Sequence, residues 1–292
     1  MIAQLIANGM IAGCIYALVA LGFAIIYGTV RFFHFAHGVV FAIGAYVAWT
    51  CVSHFGLALP LAAIVSVFVA GLFGVIIDLC IYRSLRKRKA QNLVLLLASF
   101  GIFLFTQNSI QLLYGSDIKI LQNGPVSEGY RYLGAAITGS QIAIIMFSGV
   151  LTGAVVLFMQ RTPFGKAIRA VADDPLAVSL MGINSQRVIS LAFFLGSSLA
   201  GAAGVLVALE SNIQPTMGLN AAIKGIIAAL IGGMGSIPGA LFGGLLIGMA
   251  ENVGVWGISS GWKDAIAFAV LVLFLLFRPA GIFRADIQVR KV

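Results

Sequence analysis

Apolar residues run along this chain in long blocks separated by short polar or glycine-bearing breaks. The blocks fall at residues 4–28, 38–52, 58–80, 92–113, 140–160, 188–209, 219–231 with 237–255, and 264–277. Several reach the roughly 17 to 25 residues that an α-helix needs to cross hydrocarbon. A β-barrel would alternate apolar and polar positions over segments of about ten residues, and no stretch here does so. The pattern predicts an all-α polytopic membrane protein with eight or nine transmembrane helices.

Two breaks carry glycine. RFFHFAHG covers residues 31–38 and GGMGSIPG covers residues 232–239. The arm 219–231 is short for a crossing at about 1.5 Å per residue, so a broken or re-entrant element is expected there. Paired interruptions hint at an internal duplication. They also point to a substrate path, since non-helical backbone at membrane depth is tolerated only beside a cavity or inside protein. The candidate path residues are His34, His37, Gly38, Gly233, Gly235 and Gly239, with Glu251 in the apolar run that follows. Tight helix packing is the competing use of these glycines. Small pairs such as Gly9 with Gly13 and Gly244 with Gly248 favour it.

The segment 161–187, RTPFGKAIRAVADDPLAVSLMGINSQR, carries its own helix start and stop signals. Thr162 before Pro163 is a capping residue followed by a proline at the first helical position. Asp174 and Pro175 repeat the pair, and Gly182 stands where a left-handed residue would end a second helix. Two short helices joined near Asp173 are predicted. Phe164, Ala167, Ile168 and Val171 share one face of the first, with Lys166 and Arg169 off it. That apolar face needs a partner: the chain's own spans, the lipid headgroups, or another protein.

Charge orients the spans. The formal net charge is +9, but thirteen of the eighteen basic residues sit in three places. These are Arg83 to Lys89, the loop 161–187, and the tail 278–292 with Arg278, Arg284, Arg290 and Lys291. Positive charge in short loops marks the cytoplasmic side, so loops 81–91 and 161–187 and the C-terminus are expected there. The excess is topogenic and does not imply nucleic acid. Parity then places the nearly neutral loop 114–139, with Asp117 and Glu128 against Lys119 and Arg131, outside. Nine crossings put Met1 outside; eight, with 38–52 only dipping into the membrane, put it inside. The N-terminal run has no basic region ahead of it and reads as a retained span.

Composition adds limits: the chain is 61% hydrophobic and 9% charged, with no polar stretch long enough for a soluble domain. Residues 1–292 are therefore expected to form one transmembrane domain. Cys14, Cys51 and Cys80 fall in or beside apolar runs and read as small buried hydrophobes. No catalytic set is expected. GGMGSIPG lacks the Lys and Ser or Thr of a phosphate-binding loop, so ATP is not held on this chain. His34 and His37 could share a face but lack a third zinc ligand, and Ser198 has no histidine tied to it. Ionisable residues at membrane depth are costly there. Glu251 is the clearest, for a cavity or proton role, a structural hydrogen bond or a subunit interface; Lys224 follows, with Asp78 and Glu210 nearer span ends and water.

Five ordered motifs carry a resemblance. ANGMIAGCIYALVALGFAIIYG, RFFHFAHG with GAY behind it, TPFGKAIRAVADDPLAVSLMGIN, ALIGGMGSIPGALFGGLLIGMAEN and FRPAGIF resemble the permeases of branched-chain amino acid ABC importers. The match is to the shorter of the two permeases such systems use. The resemblance implies a partner set: a second homologous permease, two cytoplasmic ATP-binding subunits that carry ATP and Mg, and an extracytoplasmic solute-binding protein. It also implies an inner (plasma) membrane location and no cofactor or metal on this chain. Residues Gly165 to Gly182 resemble the coupling helix that sits in an ATPase groove, which makes Gly165, Arg169, Asp173, Asp174, Pro175 and Gly182 candidate coupling residues. Helix N-termini near Gly38 or Gly239 are candidate receivers of a substrate carboxylate. Related permeases that move urea, short amides or aromatic acids are similar too, and an autonomous ion-coupled carrier using Glu251 and Lys224 is the rival from another class.

Overall fold

The chain forms helices wherever the sequence places apolar runs. The computed structural model describes residues 2–121, 129–132 and 134–283. Glu128 and the tail residues Arg284, Arg290 and Lys291 lie outside them. The helices are α1 (Ile2–Val30), α2 (His37–Ser53), α3 (Leu59–Ile77), α4 (Arg83–Lys87), α5 (Asn92–Tyr114) and α6 (Gly139–Arg161). They continue with α7 (Pro163–Asp173), α8 (Pro175–Leu180), α9 (Ser185–Glu210), α10 (Met217–Gly232), α11 (Ile237–Gly254) and α12 (Lys263–Phe277). A π-helical turn, Asp78–Tyr82, joins α3 to α4. Strands β1 (Tyr130–Tyr132) and β2 (Ala135–Ile137) pair antiparallel in the connection before α6, a hairpin the sequence reading did not include.

Among the described residues seven helical stretches are long and apolar enough to cross a membrane, and α2 and α10 are two shorter apolar helices. The protein is an all-α polytopic membrane protein. Large side chains on its outer helices face outward, among them Phe105, Phe147, Val150, Val272 and Leu276. An apolar exterior is what a hydrocarbon solvent selects. The centre is made by α1 and α9, where a Cβ on Gly22 would meet the Gly196 carbonyl and one on Gly196 would meet that of Gly22.

An inverted repeat organises the bundle. At one end of α1, Gln4 donates to the carbonyl of Ala136 at 3.1 Å; at the other, Arg31 donates to that of Ala172 at 2.7 Å. So α1 runs from the hairpin side to the side carrying α7, and α9 runs back, ending at Glu210, which accepts from Gln141 at 2.8 Å. Each is followed by a non-helical segment, 31–36 or 211–216, and then by a short helix, α2 or α10. The third helices cross over. Gly9 and Gly13 of α1 bring α11 close at Met249 and Leu245, while Gly71 and Gly74 of α3 bring α9 close at Phe194 and Ser197.

This pairing corrects the duplication read from the sequence. RFFHFAHG corresponds to the segment before α10, not to GGMGSIPG. The latter is a turn at the basic end, where Gly233 (φ 109°) and Gly235 (φ 83°) adopt backbone that L side chains avoid. Phe283 and Ile282 close it by donating to Gly232 and Ile231, each at 2.9 Å.

Two smaller expectations also change. Cys80 is exposed on the π-helical turn, while Cys51 is buried. Asp78 is not near water: it is buried, 2.6 Å from Arg86 and accepting from Ser190 at 2.8 Å, an arrangement that ties α3 and α4 to α9.

Candidate functional site

The two helices read in segment 161–187 form as their caps dictate. Thr162 accepts from the Gly165 N–H at 3.0 Å, and Asp174 Oδ1 accepts from Leu176 and Ala177 at 2.8 and 3.1 Å. Each satisfies donors that a helix start leaves open. Gly182 has φ 82° and ends α8, with Ile183 N–H returning to the Val178 carbonyl at 3.2 Å. Asn184 then caps α9. Gly165 is buried where α7 folds back on the last turn of α6, and a Cβ there would meet Met159 and Phe158. Arg169, Asp173, Asp174 and Pro175 are exposed.

The apolar face of α7 splits. Ile168 and Val171 are 2% and 0% exposed, buried in the main core, whereas Phe164 stands out. The partner of that face is thus the chain's own bundle. The unpartnered apolar surface lies on α8 and its C-cap instead, where Leu176, Leu180 and Met181 are 78%, 89% and 79% exposed. The helical-face argument applied to the first helix missed these three, although a six-residue capped helix with two leucines was visible in PLAVSL.

At the centre of the membrane bundle the starts of α2 and α10 meet. A Cβ on Gly38 would strike the Gly218 carbonyl, and one on Gly218 that of Gly38. Only glycine lets two backbones approach so closely. The N–H of Gly38 is engaged by the Phe35 carbonyl at 3.1 Å, and that of Gly239 by Ser236 Oγ at 3.2 Å. His37 and His34 are both buried beside this crossing. His37 Nε2 lies 3.1 Å from the Val19 carbonyl, and His34 Nδ1 lies 3.0 Å from the Tyr82 hydroxyl. Gly233, Gly235 and Gly239 sit apart from these histidines, at the basic-end turn beside Gly28.

Glu251 is fully buried on α11. Its Oε2 accepts from the Tyr16 hydroxyl at 3.0 Å and from Lys224 at 3.0 Å. Lys224 also donates to Tyr16 at 3.1 Å and lies 3.1 Å from Asp264. One ammonium thereby links α1, α10, α11 and α12. Lys224 was singled out in the sequence, but Tyr16 and Asp264 were not, because no local spacing connects residues so far apart in the chain.

Lys224 and Tyr16 also line a funnel of about 420 Å³ that opens on the hairpin side. A second cavity of about 530 Å³ opens between α1, α6, α7 and the 233–236 turn, with Arg169 on its wall. The two lie toward opposite faces, with the Gly38–Gly218 crossing between.

Comparison with known proteins agrees with this architecture. Residues 5–275 match the family described as the permease component of the branched-chain amino acid transport system. The chain is 38% identical to the high-affinity branched-chain amino acid transport permease BraD of Pseudomonas aeruginosa, over 99% of this chain and 97% of that one. It is 37% identical to the corresponding permease LivH of Escherichia coli, over 98% and 96%. Among solved structures, PsaBC from Streptococcus pneumoniae in complex with Fab superposes with a TM-score of 0.50 at 14% identity, covering 96% of this chain and 91% of that one, a likeness of fold alone.

Proposed function

The chain belongs to the branched-chain amino acid transport permease family, and from that premise we propose that it is the shorter permease subunit of an ATP-driven importer for branched-chain or related amino acids. In this reading residues 1–292 are one permease domain in the inner membrane, with loops 81–91 and 161–187 and the tail in the cytoplasm. A second homologous permease completes the path. Two cytoplasmic subunits hold ATP and Mg, and an extracytoplasmic binding protein delivers the solute. This chain carries no cofactor and catalyses no hydrolysis.

The observation that carries the reading is the contrast within segment 161–187. A helix whose apolar face is locked into the bundle holds out a second, capped helix with three bare apolar side chains on the basic side. An ATPase groove is the occupant that gives this arrangement a use. ATP-driven closure of the motor pair would move α8, α7 would carry the displacement into α6, α1 and α9, and the two cavities would exchange access. Arg31 supports this: it has φ 56°, an uncommon conformation for a non-glycine residue, and clips the end of α1 to the last turn of α7.

Lys224 argues against an autonomous ion-coupled carrier, because its ammonium donates to Glu251 and Tyr16 and lies 3.1 Å from Asp264, so its charge is already balanced within the chain. Purification of the tagged chain from its native membranes tests the proposal. Two chains with phosphate-binding loops and a second permease should accompany it, and uptake in proteoliposomes should require ATP. Ion-driven uptake by this chain alone would refute the reading.

A further inference from the structure

The basic turn between α4 and α5 is bordered on both sides by surface that faces hydrocarbon. On α3, Phe68, Leu72, Ile76 and Leu79 stand exposed at helical spacing, and on α5 Leu93, Leu97, Phe100 and Leu104 do the same. The two stripes approach each other along the chain and stop at Lys87, Arg88 and Lys89, all three exposed. Lys87 follows Leu79 by about 12 Å of helix at 1.5 Å per residue, and Leu93 opens the first turn of α5 just after Lys89. The three cations therefore sit where hydrocarbon gives way to headgroups, the level that long basic side chains reach by snorkelling.

The turn also holds its charge in a fixed place. The N–H groups of Arg88, Lys89 and Ala90 donate to the carbonyls of Ser84, Arg86 and Leu85 at 3.2, 3.0 and 3.1 Å, which closes the end of α4. Lys89 has φ 52°, so a lysine stands where backbone preference alone would select glycine. Its neighbours divide by direction. Arg86 turns inward, 2.6 Å from Asp78 and donating to Gln186 at 3.3 Å. Lys87, Arg88 and Lys89 are left uncancelled: among the described residues none has an acidic side chain within 4.0 Å. No Asp or Glu occurs in the sequence between Asp78 and Asp117. Adjacent cations repel one another, and an anion placed among them relieves that repulsion. Orienting a helix during insertion needs only positive charge in the loop. It does not need that charge pinned and unpaired between two hydrocarbon-facing stripes.

We propose that this turn is a docking surface for anionic phospholipid of the phosphatidylglycerol type, with headgroup phosphates at Lys87, Arg88 and Lys89 and acyl chains along the adjoining exposed residues of α3 and α5. A lipid is the occupant because the surface on either side of the charges is the protein's hydrocarbon-facing exterior, which acyl chains cover. The inference stands apart from the importer reading and does not depend on it.

The test uses the full-length chain, with any subunits that accompany it, purified in a neutral detergent. Lipid affinity is read by native mass spectrometry, with phosphatidylglycerol and phosphatidylcholine added in parallel. The wild type is expected to bind phosphatidylglycerol on the order of a hundredfold more tightly, since each basic residue near an anionic headgroup contributes about fivefold. Replacing all three cations, Lys87→Gln with Arg88→Gln and Lys89→Gln, should remove that preference. The charge-keeping set Lys87→Arg, Arg88→Lys and Lys89→Arg should retain it. Equal affinity of the wild type for the two lipids overturns the proposal without recourse to any variant. A glutamine variant that unfolds at the wild-type temperature yet keeps the preference overturns it too, as does inorganic phosphate that raises the unfolding temperature as much as the lipid does. Should the glutamine variant fail to fold, a photo-crosslinking residue at position 84, one turn from Arg88, decides in native membranes: an adduct with phospholipid supports the surface, and an adduct with another polypeptide in its place refutes it.

Discussion

Helices α7 and α8 begin with the same chemistry and end in opposite environments. Each starts with a side-chain cap followed by proline, Thr162–Pro163 and Asp174–Pro175, and each carries apolar residues at helical spacing. Yet Ile168 and Val171 of α7 are buried in the core, while Leu176 and Leu180 of α8 stand almost wholly bare. The difference teaches where the chain stops being self-sufficient. In the proposed reading α7 is the lever, whose apolar residues already pack on this chain, and α8 is the handle, whose bare apolar side chains would be covered by another subunit. Local sequence signals are the same for both because caps report where a helix starts, not what covers it.

Substitutions on the two helices should therefore separate stability from coupling. The largest effect is expected on the lever. Val171→Asp places an unpaired charge in the core and should cost about 4 kcal/mol or more, abolishing the folded chain in detergent by size-exclusion profile and thermal unfolding. A well-folded Val171→Asp protein would erase the contrast. Next comes the joint between them. Asp174→Ala removes the cap of α8 and should cost about 1 kcal/mol, leaving ATP hydrolysis by the assembled complex while solute uptake falls. Equal loss of hydrolysis and uptake would mean the joint serves assembly rather than transmission.

The smallest effect on stability is expected on the handle. Leu180→Ser and Leu176→Ser should shift unfolding by no more than about 0.5 kcal/mol, as surface substitutions do, yet release the ATP-binding subunits during purification. Destabilisation as large as that of Val171→Asp would show that α8 is packed by its own chain.

Much of the bundle was legible in the sequence, and what was not has physical causes. Span positions followed from apolar runs, since hydrocarbon leaves the backbone little choice but helix. The ends of α7 and α8 followed from Thr162, Asp174 and Gly182, whose capping is local. Long-range pairing was not legible. The glycine-bearing breaks looked alike as strings, but RFFHFAHG has its counterpart before α10, where Gly218 meets Gly38, and that encounter joins residues far apart in the chain. The partners of Glu251 were hidden for the same reason: a Tyr on α1 and a Lys on α10 share no local pattern with it. The apolar face of α7 was read from its spacing, but tertiary packing buries Ile168 and Val171 of it and leaves Phe164 exposed. The funnel needed seven helices, α1, α2, α6 and α9 to α12, in place before Glu210 and Lys263 came to line the same opening.

The most direct test of the lever and handle is a photo-crosslinking residue at position 180, activated in native membranes with the complex assembled. The account predicts a crosslink from that position to a cytoplasmic subunit carrying a phosphate-binding loop, lost when the same residue is placed at the buried position 171. A product formed only with lipid, or labelling of position 180 by a membrane-impermeant reagent added outside the cell, would contradict it.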